Sequence, residues 1–290
     1  MKDYLSIREF ARLSGIETTT LRYWDEIGLF SPMKRDPENN YRYYTPDQMI
    51  AVNFISVLSG LQIPLKSIQD VSASRTPDRI ARLIEQQERQ LDQEIRRLQE
   101  CHSIIHARLE LINYGTRVRE GYQEADGLRA FGDPDASPSL NVNTDTIAVL
   151  YREEKAFVLG PPAGFEEGKP FYEPFIRFIQ AAEDLRINLS YPIGGYHQNM
   201  DNFIKAPGAP DHFYSLDPTG NRRWVEGKYL VGFSHGYYGE LGDVAERMRS
   251  YAAKQRLRLS GPVYTLYLHD EICIADPGDY MCQVFVAVDG

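Results

Sequence analysis

The sequence predicts an α+β protein in three parts: an N-terminal winged helix-turn-helix, a long coiled-coil helix, and a C-terminal duplicated α+β domain. Three observations predict it. Two short amphipathic stretches joined by a tight turn precede a basic, aromatic hairpin. After Pro77, no proline or glycine occurs through Asn113, while apolar residues recur every seven positions. In the second half, a strand-helix-strand pattern appears twice.

Ser6 stands three residues before Glu9, the spacing of a capping box, and Ile7, Phe10 and Ala11 form a helical stripe that Gly15 closes. The next stretch, Glu17 to Leu29, places Leu21, Trp24 and Ile27 at steps of three, with Gly28 as its stop. Thr18, Thr19, Thr20 and Arg22 lie at the front of this helix on other faces. Hydroxyls reach base edges or phosphates, and a guanidinium forks onto guanine or phosphate, so this composition suits a major-groove reader. The alternative is an ordinary amphipathic surface helix.

Ser31 to Asn40 is rich in turn formers, and Tyr41-Arg42-Tyr43-Tyr44 has strand composition. Together they read as a wing on which Arg42 reaches a phosphate, supported by Tyr41 and Tyr43. The alternative is a plain hairpin with a solvated arginine. Thr45-Pro46 then opens a helix as N-cap and first turn, running toward Gly60, and Pro64 opens another through Ile68 and Val71.

Ile84, Leu91, Leu98, Ile105 and Ile112 fall seven apart, and Ile95 and Leu109 fall four after members of that series. This 3-4 spacing is a coiled-coil seam, interrupted by Glu88 and His102. Cys101, His102 and His106 lie near one another, but Cys101 and His106 are five apart and diverge on a helix. No metal is expected there, and no cofactor elsewhere.

The 290 residues carry a net charge of −9. Residues 1–75 are balanced, whereas residues 116–290 hold seventeen Lys/Arg against twenty-five Asp/Glu. An acidic C-terminal part disfavours DNA and favours cations. The three cysteines suggest neither a disulfide framework nor a zinc site. No apolar run spans a membrane and no signal peptide opens the chain, so a cytoplasmic protein without membrane contact is expected.

Residues 1–75 resemble the DNA-binding domain of the MerR family of transcription regulators. The Leu21 to Leu29 run, the Tyr41 to Tyr44 wing, and the helix pair around Gly60 and Pro64 carry the resemblance. Trp24 stands where the family often has tyrosine. The resemblance implies that Thr18, Thr19, Thr20, Arg22, Tyr23, Tyr41 and Arg42 face DNA. It also implies an antiparallel homodimer through the long helix, bound to a pseudo-palindromic promoter with an over-long spacer. In that family, effector binding distorts the DNA for RNA polymerase.

The second half is similar to the GyrI-like effector-binding domain of the multidrug-responsive branch. Glu226 to Tyr229, His235 to Tyr238, Gly261 to Tyr264 and Tyr280 to Val288 carry that likeness. The family's pocket glutamate is replaced by Thr265. Twenty-four of the 34 aromatic residues lie after residue 115, which suits a pocket for a flat aromatic molecule, neutral or cationic. Tyr172, Tyr191, His235, Tyr237, Tyr264 and Tyr280 are the candidate walls, between the two halves. Glu173, Asp270 and Glu271 are candidate carboxylates. The divisions expected are 1–75, 76–115, a linker at 116–145, and 146–290. Two other readings stay open. Some GyrI-like domains resemble hydrolases of small electrophiles, and a metal or redox sensor would use the cysteines.

Overall fold

The computed structural model describes residues 3–124, 140–165 and 172–289, in two compact units, 1–99 and 100–290. Half of the expected linker, residues 125–139, lies outside the described residues.

In the first unit, β1 (Leu5–Ser6) leads into α1 (Ile7–Ser14), followed by α2 (Thr18–Glu26), β2 (Lys34–Arg35), β3 (Arg42–Tyr44), α3 (Gln48–Gly60) and α4 (Leu65–Ser72). The Ser6–Glu9 capping box forms: the Glu9 amide donates to Ser6 Oγ at 3.3 Å, and the Ser6 amide donates to Glu9 Oε2 at 2.9 Å. Gly15 follows with φ of 73°, a conformation that costs glycine nothing. The three strands form one antiparallel sheet in the order β1-β3-β2, which is the wing. Tyr44 of β3 stacks on Phe10 of α1 at 4.6 Å, and Phe30 completes the ring cluster. Such pairs add about 0.5–1.5 kcal/mol beyond their buried area.

Two local expectations change. Leu21 and Trp24 are buried, but Ile27 is not. The helix ends at Glu26, and the left-handed Gly28 turns the chain so that Leu29 and Phe30 enter the core instead. Further on, α3 begins at Gln48 rather than at Pro46. Gln48 Oε1 accepts from the Thr45 amide at 3.0 Å, so the side chain of the later residue ties off the turn, not the threonine hydroxyl.

The long helix α5 spans Pro77–Glu120. It passes Gly115 because the second unit needs a missing side chain there: a Cβ would lie 2.7 Å from His269 Nε2.

In the second unit, β4 (Tyr122–Glu124) pairs with β5 (Leu140–Val142). A separate eight-stranded antiparallel sheet comprises β6 (Ile147–Arg152), β7 (Lys155–Pro162), β8 (Ile193–His197), β9 (His212–Ser215), β10 (Arg222–Trp224), β11 (Gly227–His235), β12 (Leu259–His269) and β13 (Met281–Val288). Its order is β10-β7-β9-β8-β12-β13-β11-β6. The helices are α6 (Tyr172–Asp184), α7 (Met200–Lys205) and α8 (Val244–Gln255). The duplication is visible in that order. The half β7-α6-β8-β9 and the half β11-α8-β12-β13 meet where β8 pairs with β12. The stretch expected to be turns up to Asn221 holds α7 and β9 as well. One sheet face carries Phe157, Tyr214, Trp224, Tyr264 and Phe285, against which Leu111, Tyr114 and Val118 of α5 pack. The other carries α6, α7 and α8. Among the described residues, no helix is long and apolar enough to cross a membrane.

Candidate DNA-reading surface and ligand cavity

At the front of α2, Arg22 and Tyr23 are exposed, and their side chains make no hydrogen bond among the described residues. Thr19 is exposed, and Thr18 and Thr20 are half-buried. On the wing, Tyr41 is exposed and leans on Tyr43 at 6.1 Å. Arg42 is differently placed. Its Nε donates to Oδ2 of Asp25 at 2.6 Å, and Arg35 Nη2 reaches the same oxygen at 2.6 Å. Asp25 is the buried anchor of the wing, with its side chain only 2% exposed. The helix positions it on the face opposite Tyr23, so one carboxylate fixes the angle between helix and wing. Among the described residues, the two terminal nitrogens of Arg42 make no hydrogen bond. Sequence reading missed Asp25 because an acid beside a DNA surface looks like a solvated charge.

In the second unit, a cavity of about 260 Å³ lies at the junction of the two halves. Gly194 and Gly195 of β8 and Thr265 and Tyr267 of β12 supply its floor, and Phe175, Ile179 and Phe213 its apolar side. Tyr238 closes the other side, its ring 4.6 Å from that of Tyr267. The Tyr267 hydroxyl accepts from the Gly239 amide and donates to the Tyr237 carbonyl, both at 3.1 Å. Burial holds its phenol protonated far above neutral pH. Tyr238 is likewise raised, by burial and by Glu271, to which its hydroxyl donates.

Three charged groups reach the cavity. Arg108 of α5 donates from Nε to the Ser190 carbonyl at 3.1 Å, and its Nη1 lies 3.5 Å from Asp270 Oδ2. Burial raises the Asp270 carboxyl above the usual carboxylate range, with Glu271 adding to it against the Ile272 amide and Arg108. No carboxylate sits on the floor. Thr265 Oγ1 accepts from the Gly195 amide at 3.1 Å, so its hydroxyl is engaged with the backbone of the adjoining half. Among the described residues, no three of His, Cys, Asp and Glu gather as a metal would require.

Residues 5–74 match the family model described as the MerR HTH family regulatory protein. This chain carries a MerR-family helix-turn-helix domain. The chain is 23% identical to the multidrug-efflux transporter 2 regulator of Bacillus subtilis, over 94% of this chain and 92% of that relative. It is 36% identical to the transcriptional regulator BrlR of Pseudomonas aeruginosa over 31% of this chain and 35% of BrlR. To the multidrug-efflux transporter 1 regulator of Bacillus subtilis it is 34% identical over 32% of this chain and 34% of that protein. The last two matches span about a third of those relatives, so beyond the MerR-type domain the likeness rests on the first.

The six aromatic wall candidates of the chain's second half do not line this cavity. Strand parity is the reason for Tyr264. Residues 263, 265 and 267 of β12 face the helices, so Tyr264 points to the opposite face, stacked on Phe285 at 5.1 Å. Tyr191 is buried, whereas Tyr172 and His235 are exposed. Tyr280 stands behind Tyr238 at 5.6 Å, and Tyr237, exposed, completes that cluster. Asp270 and Glu271 do line the cavity, and Glu173 does not. Tyr238, Tyr267 and Arg108 were not singled out from sequence. The first two were hidden by neighbouring tyrosines, and Arg108 by its place on a helix read only for its seam.

Proposed function

We propose that the chain is a ligand-responsive, homodimeric transcription regulator whose effector is a flat, largely apolar molecule held in the cavity between the two halves. The observation that carries this is the shared helix: α5, which brings Arg108 to the cavity wall, also presents Leu91, Ile95, Leu98, Ile105 and Leu109 to solvent. All residues from Glu88 to His102 are exposed. A helix with an exposed apolar stripe requires a partner for it, and a second copy in antiparallel register supplies one. The ligand acts through different affinities for two dimer states, and the dimer acts on promoter DNA by bending and untwisting an over-long spacer for RNA polymerase. The multidrug names of the relatives support a broad ligand class. Thr18 to Thr20 approach base edges, and Arg22, Tyr23, Tyr41 and Arg42 hold the phosphate backbone.

With a threonine on the floor and the nearby charges nearly balanced, selection by ligand charge is weak. The test titrates a matched pair of aromatic ligands, one cationic and one neutral, at low and high salt. Comparable affinities are expected, with any cation advantage fading as salt rises. A strong cation preference that survives high salt would overturn the reading and assign the dominant role to Glu271 or Asp270. The hydrolase reading finds no acid or base at the floor position, where Thr265 offers a backbone-bonded hydroxyl.

A further inference from the structure

The opposite face of the sheet carries an arginine where an apolar side chain belongs. Along β6, Ala148 and Leu150 point into the aromatic core, and the two-residue period sends Arg152 the same way. Its guanidinium lies 3.8 Å from the ring centre of Phe285 and 5.4 Å from that of Trp224. On β13, Gln283 takes the matching inward position beside Phe285 and is 1% exposed. Arg152 Nη1 donates to Gln283 Oε1 at 2.6 Å, and Gln283 Nε2 donates to the Tyr114 hydroxyl at 3.0 Å. Arginine only donates, so the amide's carbonyl end must face it. This is a constructed polar trio on an apolar surface.

The trio lacks an anion. Among the described residues, Arg152 has no carboxylate within ion-pair distance; Glu110, whose charge acts on it, is itself paired with Lys155. Its Nε is shut off from solvent with no hydrogen-bond partner. Its Nη2 makes no hydrogen bond among the described residues, and the side chain lines an open space. Burying a guanidinium without a counter-charge is costly unless something else pairs it. What it opens onto is a cleft of about 780 Å³ between α5 and the sheet, walled by Tyr114, Tyr122, Leu150, Leu216 and Trp224. That volume is in the range of small-molecule sites. Arg117 and Lys155 border it too, Arg117 lying over the rings of Tyr114 and Tyr122 at 5.7 and 5.1 Å. Cations outnumber acids here, with Glu110 and Glu153 against three basic groups, in a half of the chain that is acidic as a whole.

We propose that this cleft is a second small-molecule site, separate from the cavity between the halves, and that it takes an aromatic carboxylate paired with Arg152. The carboxylate meets the free guanidinium N–H groups, and the aromatic body lies among Trp224, Tyr114 and Tyr122. A fixed fork suits this better than a lysine would.

The test is calorimetric titration of the full chain with 2-naphthoate, its neutral isostere 2-naphthalenemethanol, and 2-naphthylmethylammonium. Naphthoate should bind at least tenfold more tightly than either comparator. Arg152→Met, which keeps the packing on Phe285, should weaken naphthoate at least tenfold and leave the alcohol within twofold. If circular dichroism shows that variant unfolded, Arg152→Lys decides, with a several-fold loss expected because the charge stays and the fork goes. Ile179→Trp, which fills the other cavity, should leave naphthoate binding unchanged while removing the neutral and cationic ligands of that cavity. Loss of the latter alone bears on the effector reading, not on this one. Equal affinities for acid and alcohol, an unchanged Arg152 variant, or loss of naphthoate in Ile179→Trp would each overturn the proposal.

Discussion

Asp25→Asn isolates the joint between α2 and the wing. The carboxylate is buried, and both guanidiniums approach one of its oxygens at 2.6 Å. Arg42 is 20% exposed, so its charged hydrogen bond is worth about 1.5–3 kcal/mol. Arg35, 43% exposed, is screened and adds roughly 0.5–1 kcal/mol. The substitution leaves two partly buried cations facing a neutral amide, a loss of about 2–4 kcal/mol for the first unit. Because every 1.4 kcal/mol is a factor of ten, amides of α2 and β3 should exchange with deuterium about 30- to 700-fold faster. Hydrogen-exchange mass spectrometry of peptides from residues 5–74 measures this, with peptides of the second unit as internal reference. A change below about threefold would refute the claim that this carboxylate sets the wing. The released Arg35 should also steepen the salt dependence of DNA binding, since each new phosphate contact adds about 0.9 to the slope.

Arg42→Ala should weaken DNA binding alike for all sequences and flatten the salt slope by about one ion, measured by fluorescence anisotropy across a salt series. An unchanged slope removes Arg42 from the phosphate contacts. Leu98→Glu places a charge in the exposed seam, and analytical ultracentrifugation should show a monomer. A persisting dimer would assign the interface to another surface. His197 is buried against Phe203, and burial lowers its pKa from 6.5 to about 4 against the opposing pull of Asp211 and the Pro207 backbone. The neutral ring's contribution is fully present above pH 6.5 and is lost as pH falls through about 4, a loss of roughly 3 kcal/mol. His197→Leu should remove most of that acid sensitivity in urea melts between pH 7.5 and 4. An identical pH profile would show that another group is responsible.

Much of the first unit is legible because its signals are local. Ser6 and Glu9 specify a cap, Gly15 and Gly28 specify stops, and the aromatic run Tyr41 to Tyr44 specifies an edge hairpin. Errors occur where a residue's fate depends on a neighbour in space. Ile27 fits the helical stripe but lies past the helix end, and Asp25 reads as a surface acid until Arg35 and Arg42 fold onto it. In the second unit, the duplicated pattern is legible from strands rich in Val, Leu and Tyr. The strand β7 is obscured by its Gly-Pro-Pro ending, and α7 and β9 are too short to show a period.

The faces of the sheet are harder to read, for a physical reason. A strand with one face in water alternates polar and apolar residues, so its phase can be read. Here both faces are covered, and β12 reads Val263-Tyr264-Thr265-Leu266-Tyr267-Leu268, apolar on either phase. Nothing local says whether Tyr264 or Tyr267 faces the cavity, and choosing the wrong phase exchanges every wall residue for the one beside it. The polar exceptions carry the information that the apolar ones lack. Thr265 marks the face on which the two halves meet, because its hydroxyl needs the Gly195 backbone. Arg152 and Gln283 mark the other, because each occupies an inward position between apolar neighbours and each needs a partner there. Burial makes a misplaced polar group expensive, so a polar residue inside an apolar strand is there for a partner, present or expected. In a sheet covered on both sides, those residues locate the sites more reliably than the aromatic residues around them.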